Sequence, residues 1–178
     1  MGWSCCLFGG VGIDRTKSIK LLNAAVADEL QAVHQYMYFH FHLDDQGFKP
    51  LSLLFKRIAI QEMGHVELLA ERILFLKGEV EMVSAGPVAK VPEPEAMLLK
   101  AMEMEEDGIK TYNKASLECA SSADSGSKQL FEQLVKDEEG HFDLYEKQQD
   151  NIKRFGLSYL ALQSFGGGAP ESGPAAGE

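Results

Sequence analysis

A glutamate followed three positions later by a histidine occurs twice in this chain, as Glu62-Met63-Gly64-His65 and as Glu138-Glu139-Gly140-His141. Residues three apart share a helix face, so each pattern predicts a helix presenting a carboxylate and an imidazole side by side. The two copies lie 76 positions apart, and the same offset carries Glu29 onto Glu105 and Tyr36 onto Tyr112. A fixed-period repeat of chemistry-bearing residues signals a duplicated structural unit. In each half the lone Glu precedes the Glu-x-x-His by 33 residues, with midpoints at the turn-forming Asp45-Gln46-Gly47 and Ser121-Ser122. Two helical hairpins folded there would bring Glu29, Glu62, His65, Glu105, Glu138 and His141 to one level.

Apolar periodicity predicts four long helices. The first begins near Asp14, carries Leu22, Ala25, Val26, Glu29, Val33 and Tyr36 on one stripe, and ends near Asp44 to Gly47. The second carries Leu51, Leu54, Phe55, Ile58, Glu62, His65, Val66 and Leu69 and is expected to stop at Lys77-Gly78. Between Glu79 and Pro94 the period fails and Gly86, Pro87, Pro92 and Pro94 mark a long crossover. The third helix shows Leu98, Ala101, Glu105, Ile109 and Tyr112; the fourth shows Phe131, Leu134, Glu138, His141, Phe142 and Tyr145 and stops at Gly156. Leu157 to Phe165 suits a short fifth helix. The expected organisation is a flexible arm over 1–14, a bundle with its C-terminal helix over 15–165, and a disordered Gly/Pro/Ala-rich tail over 166–178. The expected fold class is all-α, since two hairpins joined by one long connection make a four-helix bundle of the ferritin-like kind.

A carboxylate inside an apolar stripe is costly unless a charge or a metal compensates it, and here four converge. Their mutual repulsion would force protonation unless cations lay between them. Four carboxylates and two imidazoles offer hard oxygen and borderline nitrogen ligands, suited to iron, manganese or zinc, and with two bridging carboxylates the set suffices for two ions. Neighbouring acids support the choice: Glu103 and Glu106 align with Lys100, Lys110 and Asn113, whereas Glu105 aligns with Leu98, Ala101, Ile109 and Tyr112. His34 and His42 read as surface residues and His40 as a core histidine. Tyr36 and Tyr112 flank the site symmetrically, placed to bond ligand carboxylates or to supply electrons. Met63 is turned about 100° from Glu62, onto a stripe with Ala59, Ile60 and Ala70 that is expected to point out of the bundle.

A net charge of −10 argues against binding to nucleic acid or to an anionic membrane, both of which need a basic footprint, and it attracts cations instead. No run is long and apolar enough for a membrane span or a secretory signal. Three cysteines, with Cys5 and Cys6 adjacent, make no disulfide framework, and a cytoplasmic location is expected.

The segments Glu29 to Tyr36, Glu62 to His65 followed by Glu71 to Leu76, Glu105 to Gly108, and Asp137 to His141 resemble bacterioferritin in order and spacing. The resemblance covers about residues 15 to 163. It implies an iron-storing ferroxidase, a shell of 24 subunits holding two iron ions per subunit, which uses O2 or H2O2 to oxidise Fe(II). By that match Glu29 and His65 would hold one iron, Glu105 and His141 the other, and Glu62 and Glu138 would bridge. Met63 would be the axial ligand of a haem or related Fe-porphyrin shared between two subunits, and a small ferredoxin-type electron donor would be a partner. Arg57 and Gln61 stand where many members carry the His and Asp of a cavity-facing iron site, and Leu144 stands where a Trp is often found. A soluble di-iron peroxidase or oxygenase of the rubrerythrin kind, in a small oligomer, is the alternative reading.

Overall fold

The computed structural model describes residues 15–156 and 158–166, which form five helices: α1 (Arg15–Asp45), α2 (Lys49–Phe75), α3 (Pro94–Ser121), α4 (Ser125–Phe155) and α5 (Ser158–Gly166). The expected arm and almost all of the expected tail lie outside the described residues; Gly166 closes α5 instead of opening the tail. Each hairpin packs α1 on α2 or α3 on α4, and no strand forms among the described residues.

The helix ends follow from local chemistry. Pro50 and Pro94 stand in the first turns of α2 and α3, where a missing N–H is harmless. Asp124 caps α4, accepting hydrogen bonds from the Ser127 amide at 3.1 Å and the Ser127 hydroxyl at 2.7 Å, and it pairs with Arg72 of α2. Gly156, with φ of +71°, ends α4. The stop of α2 differs from the sequence expectation in one detail: Lys77, not Gly78, takes the left-handed conformation, with φ of +66°. Gly78 is needed for space, since a Cβ there would meet Ile19 Cγ2 of α1 at 2.8 Å.

The crossover from Leu76 to Glu93 is held along α1 by side-chain amides that imitate backbone pairing. Asn23 donates to Glu79 O and accepts from Glu81 N, both at 2.9 Å, and Gln35 donates to Ala89 O at 2.9 Å while accepting from Ala89 N at 2.7 Å. These bonds pin the connection to α1 through its own backbone carbonyls and amides.

The core divides into two apolar clusters, one around Phe39, Phe55, Ile58, Met97, Leu98 and Tyr145, the other around Leu22, Val26, Leu69, Ile73, Phe131 and Leu134. Between them lies a buried layer of carboxylates and imidazoles. Each fully buried large apolar side chain stabilises the fold by about 1.5–3 kcal/mol, so the clusters hold the helices in place around a layer that repels itself. Ala59 is corrected from the outward stripe of α2 to the core, where it is 1% exposed. It is four residues from Phe55 and three from Glu62, both buried, and its small side chain lets a neighbouring element close over it. Met63 and Ile60 do point outward, each 52% exposed.

Candidate metal centre

All six residues singled out by the repeat are buried at the centre of the bundle, each at most 6% exposed. Glu29 comes from α1, Glu62 and His65 from α2, Glu105 from α3, Glu138 and His141 from α4, so every long helix contributes. The helical spacing of three turns each Glu-x-x-His pair inward together.

Their potential ligand atoms fall into two overlapping groups, Glu29, Glu62, His65, Glu138 and Glu62, Glu105, Glu138, His141, the atoms of each lying within 4.8 Å of one another. Glu62 and Glu138 belong to both. Nδ1 of His65 lies 2.8 Å from Glu62 Oε2, 3.4 Å from Glu138 Oε1 and 3.5 Å from Glu29 Oε1. Nδ1 of His141 lies 3.0 Å from Glu62 Oε1, 3.3 Å from Glu138 Oε2 and 3.7 Å from Glu105 Oε2. The two rings are stacked with centroids 5.8 Å apart. Both oxygens of Glu62, Glu138 Oε1 and His65 Nδ1 are buried without a directed hydrogen bond, despite these short distances. Donor atoms that crowd one space without aligning on each other suit a cation placed among them.

The electrostatics have the same origin. Burial first, then the neighbouring carboxylates, push Glu29 and Glu105 well above the usual carboxylate range, partly opposed by the nearby imidazoles of His65 and His141 respectively. Burial also acts on Glu138, but the close approach of the His141 and His65 imidazoles outweighs it and holds this carboxyl low. Burial would lower both imidazoles, yet the surrounding carboxylates override it, taking His141 up to about 12 and His65 strongly in the same direction. Without metal the cluster therefore balances charge with protons.

Around this cluster, Tyr36 of α1 donates to Glu105 Oε1 at 2.6 Å and Tyr112 of α3 donates to Glu29 Oε1 at 2.8 Å. His40 is buried and bonded to Ser52 Oγ at 2.8 Å, away from the cluster, while His34 and His42 are exposed. Arg57 and Gln61 are exposed on one flank of α2. Gln61 edges a surface recess it shares with His65 and Asp137. Two residues escaped the sequence reading as neighbours of the site. Asp137 Oδ2 lies 3.5 Å from His65 Nε2, and Tyr145, fully buried, packs edge-on against Tyr36 at 5.6 Å between centroids. Asp137 had a weak signal, being the acid directly before Glu138; Tyr145 had only its place on the apolar stripe.

Comparison with known proteins agrees with this geometry. Residues 19–155 match the ferritin-like domain. The bacterioferritin of Desulfovibrio desulfuricans is 36% identical over 147 residues, 83% of this chain and 82% of the relative. That of Rhodobacter capsulatus is 37% identical over 147 residues, 82% of this chain and 91% of the relative. The D. desulfuricans bacterioferritin structure, whose diiron site was followed in different catalytic states, has a TM-score of 0.85 at 34% identity, covering 96% of this chain and 98% of that one. The R. capsulatus structure, with a metal-free dinuclear site and haem iron in a crystallographic special position, has a TM-score of 0.81 at 34% identity, covering 89% and 97%. Sequence, fold and the arrangement of the buried carboxylates and imidazoles together place this chain in the bacterioferritin family.

Proposed function

We propose that the chain is the subunit of an iron-storing ferroxidase in which Glu29 and His65 hold one Fe(II), Glu105 and His141 hold a second, and Glu62 and Glu138 lie between them. The observation that carries this reading is the sharing of Glu62 and Glu138 by two overlapping ligand groups. Two adjacent Fe(II) substrates give up two electrons together. Dioxygen accepts two electrons and two protons to become H2O2, and H2O2 accepts two electrons and two protons to become two waters. The apolar clusters flank the site on either side, and the tyrosine bonds hold Glu105 and Glu29 in place. The oxidised iron then passes to a mineral inside a hollow homo-oligomer, expected to hold 24 subunits.

Met63 fits the role of haem ligand at a subunit pair. Its thioether is an accepted axial ligand of haem iron, and it stands outside the bundle beside the equally exposed Ile60. A special position lies on a symmetry element, so the haem iron of the R. capsulatus relative has equivalent surroundings from symmetry-related copies. One Met63 from each of two subunits would hold a haem or related Fe-porphyrin here, and the group would supply a one-electron redox centre. A small ferredoxin-type donor is the proposed source of electrons for iron release, and a cytoplasmic setting is proposed for the whole assembly. No helix among the described residues is long and apolar enough to cross a membrane.

Glu62→Ala and Glu138→Ala should each abolish rapid Fe(II) oxidation, while Glu103→Ala, on the exposed face and paired with Lys100 at 2.8 Å, should leave it intact. Equal loss from all three would refute the ligand assignment. A sizing measurement separates the shell from a small rubrerythrin-like oligomer.

A further inference from the structure

A groove of about 560 Å³ runs along the N-terminal part of α1, between the helix and the crossover. Ile19, Ala24 and Ala27 line it on the helix side, and Val83, 68% exposed, on the crossover side. Its walls are tied together at two points. Asn23, also on the lining, bonds to Glu79 O and Glu81 N, and Ala85 N donates to Ala27 O at 2.9 Å. A groove with walls already fixed is preorganised, because little further ordering opposes binding. Thr16, Lys20, Glu81 and Ser84 add polar groups to the apolar lining. An extended peptide laid there would find partners for its own N–H and C=O groups.

α1 begins at Arg15, directly before Thr16 at one end of this groove. Residues 1–13 carry no charged side chain, and within them Trp3-Ser4-Cys5-Cys6-Leu7-Phe8 is followed by Gly9-Gly10-Val11-Gly12. Glycines accept the backbone angles that a tight reversal of the chain needs. The stripe from Thr16 to Ala27 is about 16 Å long at 1.5 Å per residue, and a six-residue extended segment reaches about 20 Å. A segment that turns back at the glycines therefore has the length to run the whole groove.

We propose that segment 3–8 of the same chain packs into this groove, antiparallel to α1, with its apolar side chains against Ile19, Ala24, Ala27 and Val83. Burial of Trp3, Leu7 and Phe8 there is favourable in proportion to the apolar area removed from water. Tethering makes the chain's own segment the occupant, since a short linker holds it at a local concentration that a segment of another molecule does not reach. Packed in this way, the arm holds the first part of the crossover against α1.

Trp3 is the only tryptophan in the chain, so tryptophan fluorescence of the intact protein reports on this segment alone. Wild type should emit at short wavelength and resist quenching by acrylamide. Ala24→Glu and Val83→Glu, both at exposed positions on the lining, should shift the emission to the red and raise the quenching constant by about threefold or more, as an indole returned from apolar contact to water does. Leu53→Glu, exposed on α2 and outside the lining, should change neither. Ser84→Cys identifies the occupant: mild oxidation should join position 84 to Cys5 or Cys6 within one chain. A fully quenchable Trp3 in wild type would overturn the proposal, as would groove variants that leave quenching unchanged. Disulfides between chains would overturn it by giving the groove to the arm of another copy. Shielding of Trp3 that appears only when phosphatidylcholine vesicles are added would overturn it by giving the arm to a lipid surface. Should a groove variant fail to assemble, the cross-link through position 84 in the otherwise unaltered chain decides.

Discussion

The hydroxyl of Tyr36 on α1 stands 2.6 Å from Glu105 Oε1 on α3, so the first hairpin reaches across the bundle to hold a carboxylate of the second. Tyr112 returns the bond to Glu29. Tyr145, packed edge-on against Tyr36, is as deeply buried but its hydroxyl has no hydrogen-bond partner. Removing the two hydroxyls should therefore have opposite consequences. Tyr36→Phe should destabilise the subunit by about 1–3 kcal/mol, the range for leaving a buried acceptor unsatisfied, and slow Fe(II) oxidation by loosening Glu105. Tyr145→Phe should be neutral or slightly stabilising in thermal unfolding. Equal losses from both would mean that the cross-brace has no special role.

The repeat made the hairpins and the six buried residues legible because helical spacing converts sequence separation directly into a shared face. Other features had no such period to betray them. Asn23 and Gln35 look like ordinary polar helix residues until the crossover amides and carbonyls they bind are in place, 54 to 58 positions away. Ala59 was misplaced because an average turn of 100° per residue fixes a direction but not how far a neighbouring helix extends around it. The need for glycine at position 78 has the same kind of tertiary cause, since Ile19 of α1 occupies the space that any side chain there would need.

The protonated state of the metal-free cluster predicts opposite pH behaviour for empty and loaded protein. His65 and His141 are raised, so their contribution is fully present below the unfolded value of 6.5 and is lost as pH rises toward the folded value, about 12 for His141. Glu29 and Glu105 are raised too, and each weakens folding increasingly above its unfolded value of 4.5. Glu138 is lowered, so its contribution is present above 4.5 and lost on acidification. The metal-free protein should then be most stable between about pH 4.5 and 6.5, with a melting temperature that falls from pH 6 to pH 9. Metal ions replace those protons, so Zn(II) should bind more tightly as pH rises and its stabilisation should widen over the same range. Calorimetry in buffers of different ionisation enthalpy should detect protons released on Zn(II) binding; a proton count of zero would contradict the assignment.

Met63 offers a separation between porphyrin and iron chemistry. It follows Glu62 directly yet points out of the bundle, 52% exposed, so it can change without disturbing the buried layer. Met63→Leu keeps the apolar volume and removes the sulfur. Purified Met63→Leu protein should lack the haem absorbance of the wild type while oxidising Fe(II) at a similar rate. Retained porphyrin would point to a different ligand.

Asp137 bears on the geometry of His65 from outside the cluster. The imidazole directs Nδ1 at the carboxylates of Glu29, Glu62 and Glu138, and its Nε2 faces Asp137 Oδ2 at 3.5 Å. A carboxylate on the far nitrogen favours the proton there, which leaves Nδ1 free to bind metal and makes it a stronger donor. Asp137 is itself positioned by Gln133, whose amide nitrogen lies 3.0 Å from both of its carboxylate oxygens. Loss of such an outer partner commonly weakens metal binding by about 10- to 100-fold. Asp137→Asn, similar in size but uncharged, should therefore reduce Zn(II) affinity by that order, and the loss should fall on one of the two metals per chain, since among the described residues only His65 of the two imidazoles has such a partner. Titration calorimetry resolves the two binding steps. Equal weakening of both, or of neither, would show that Asp137 does not orient the His65 ring.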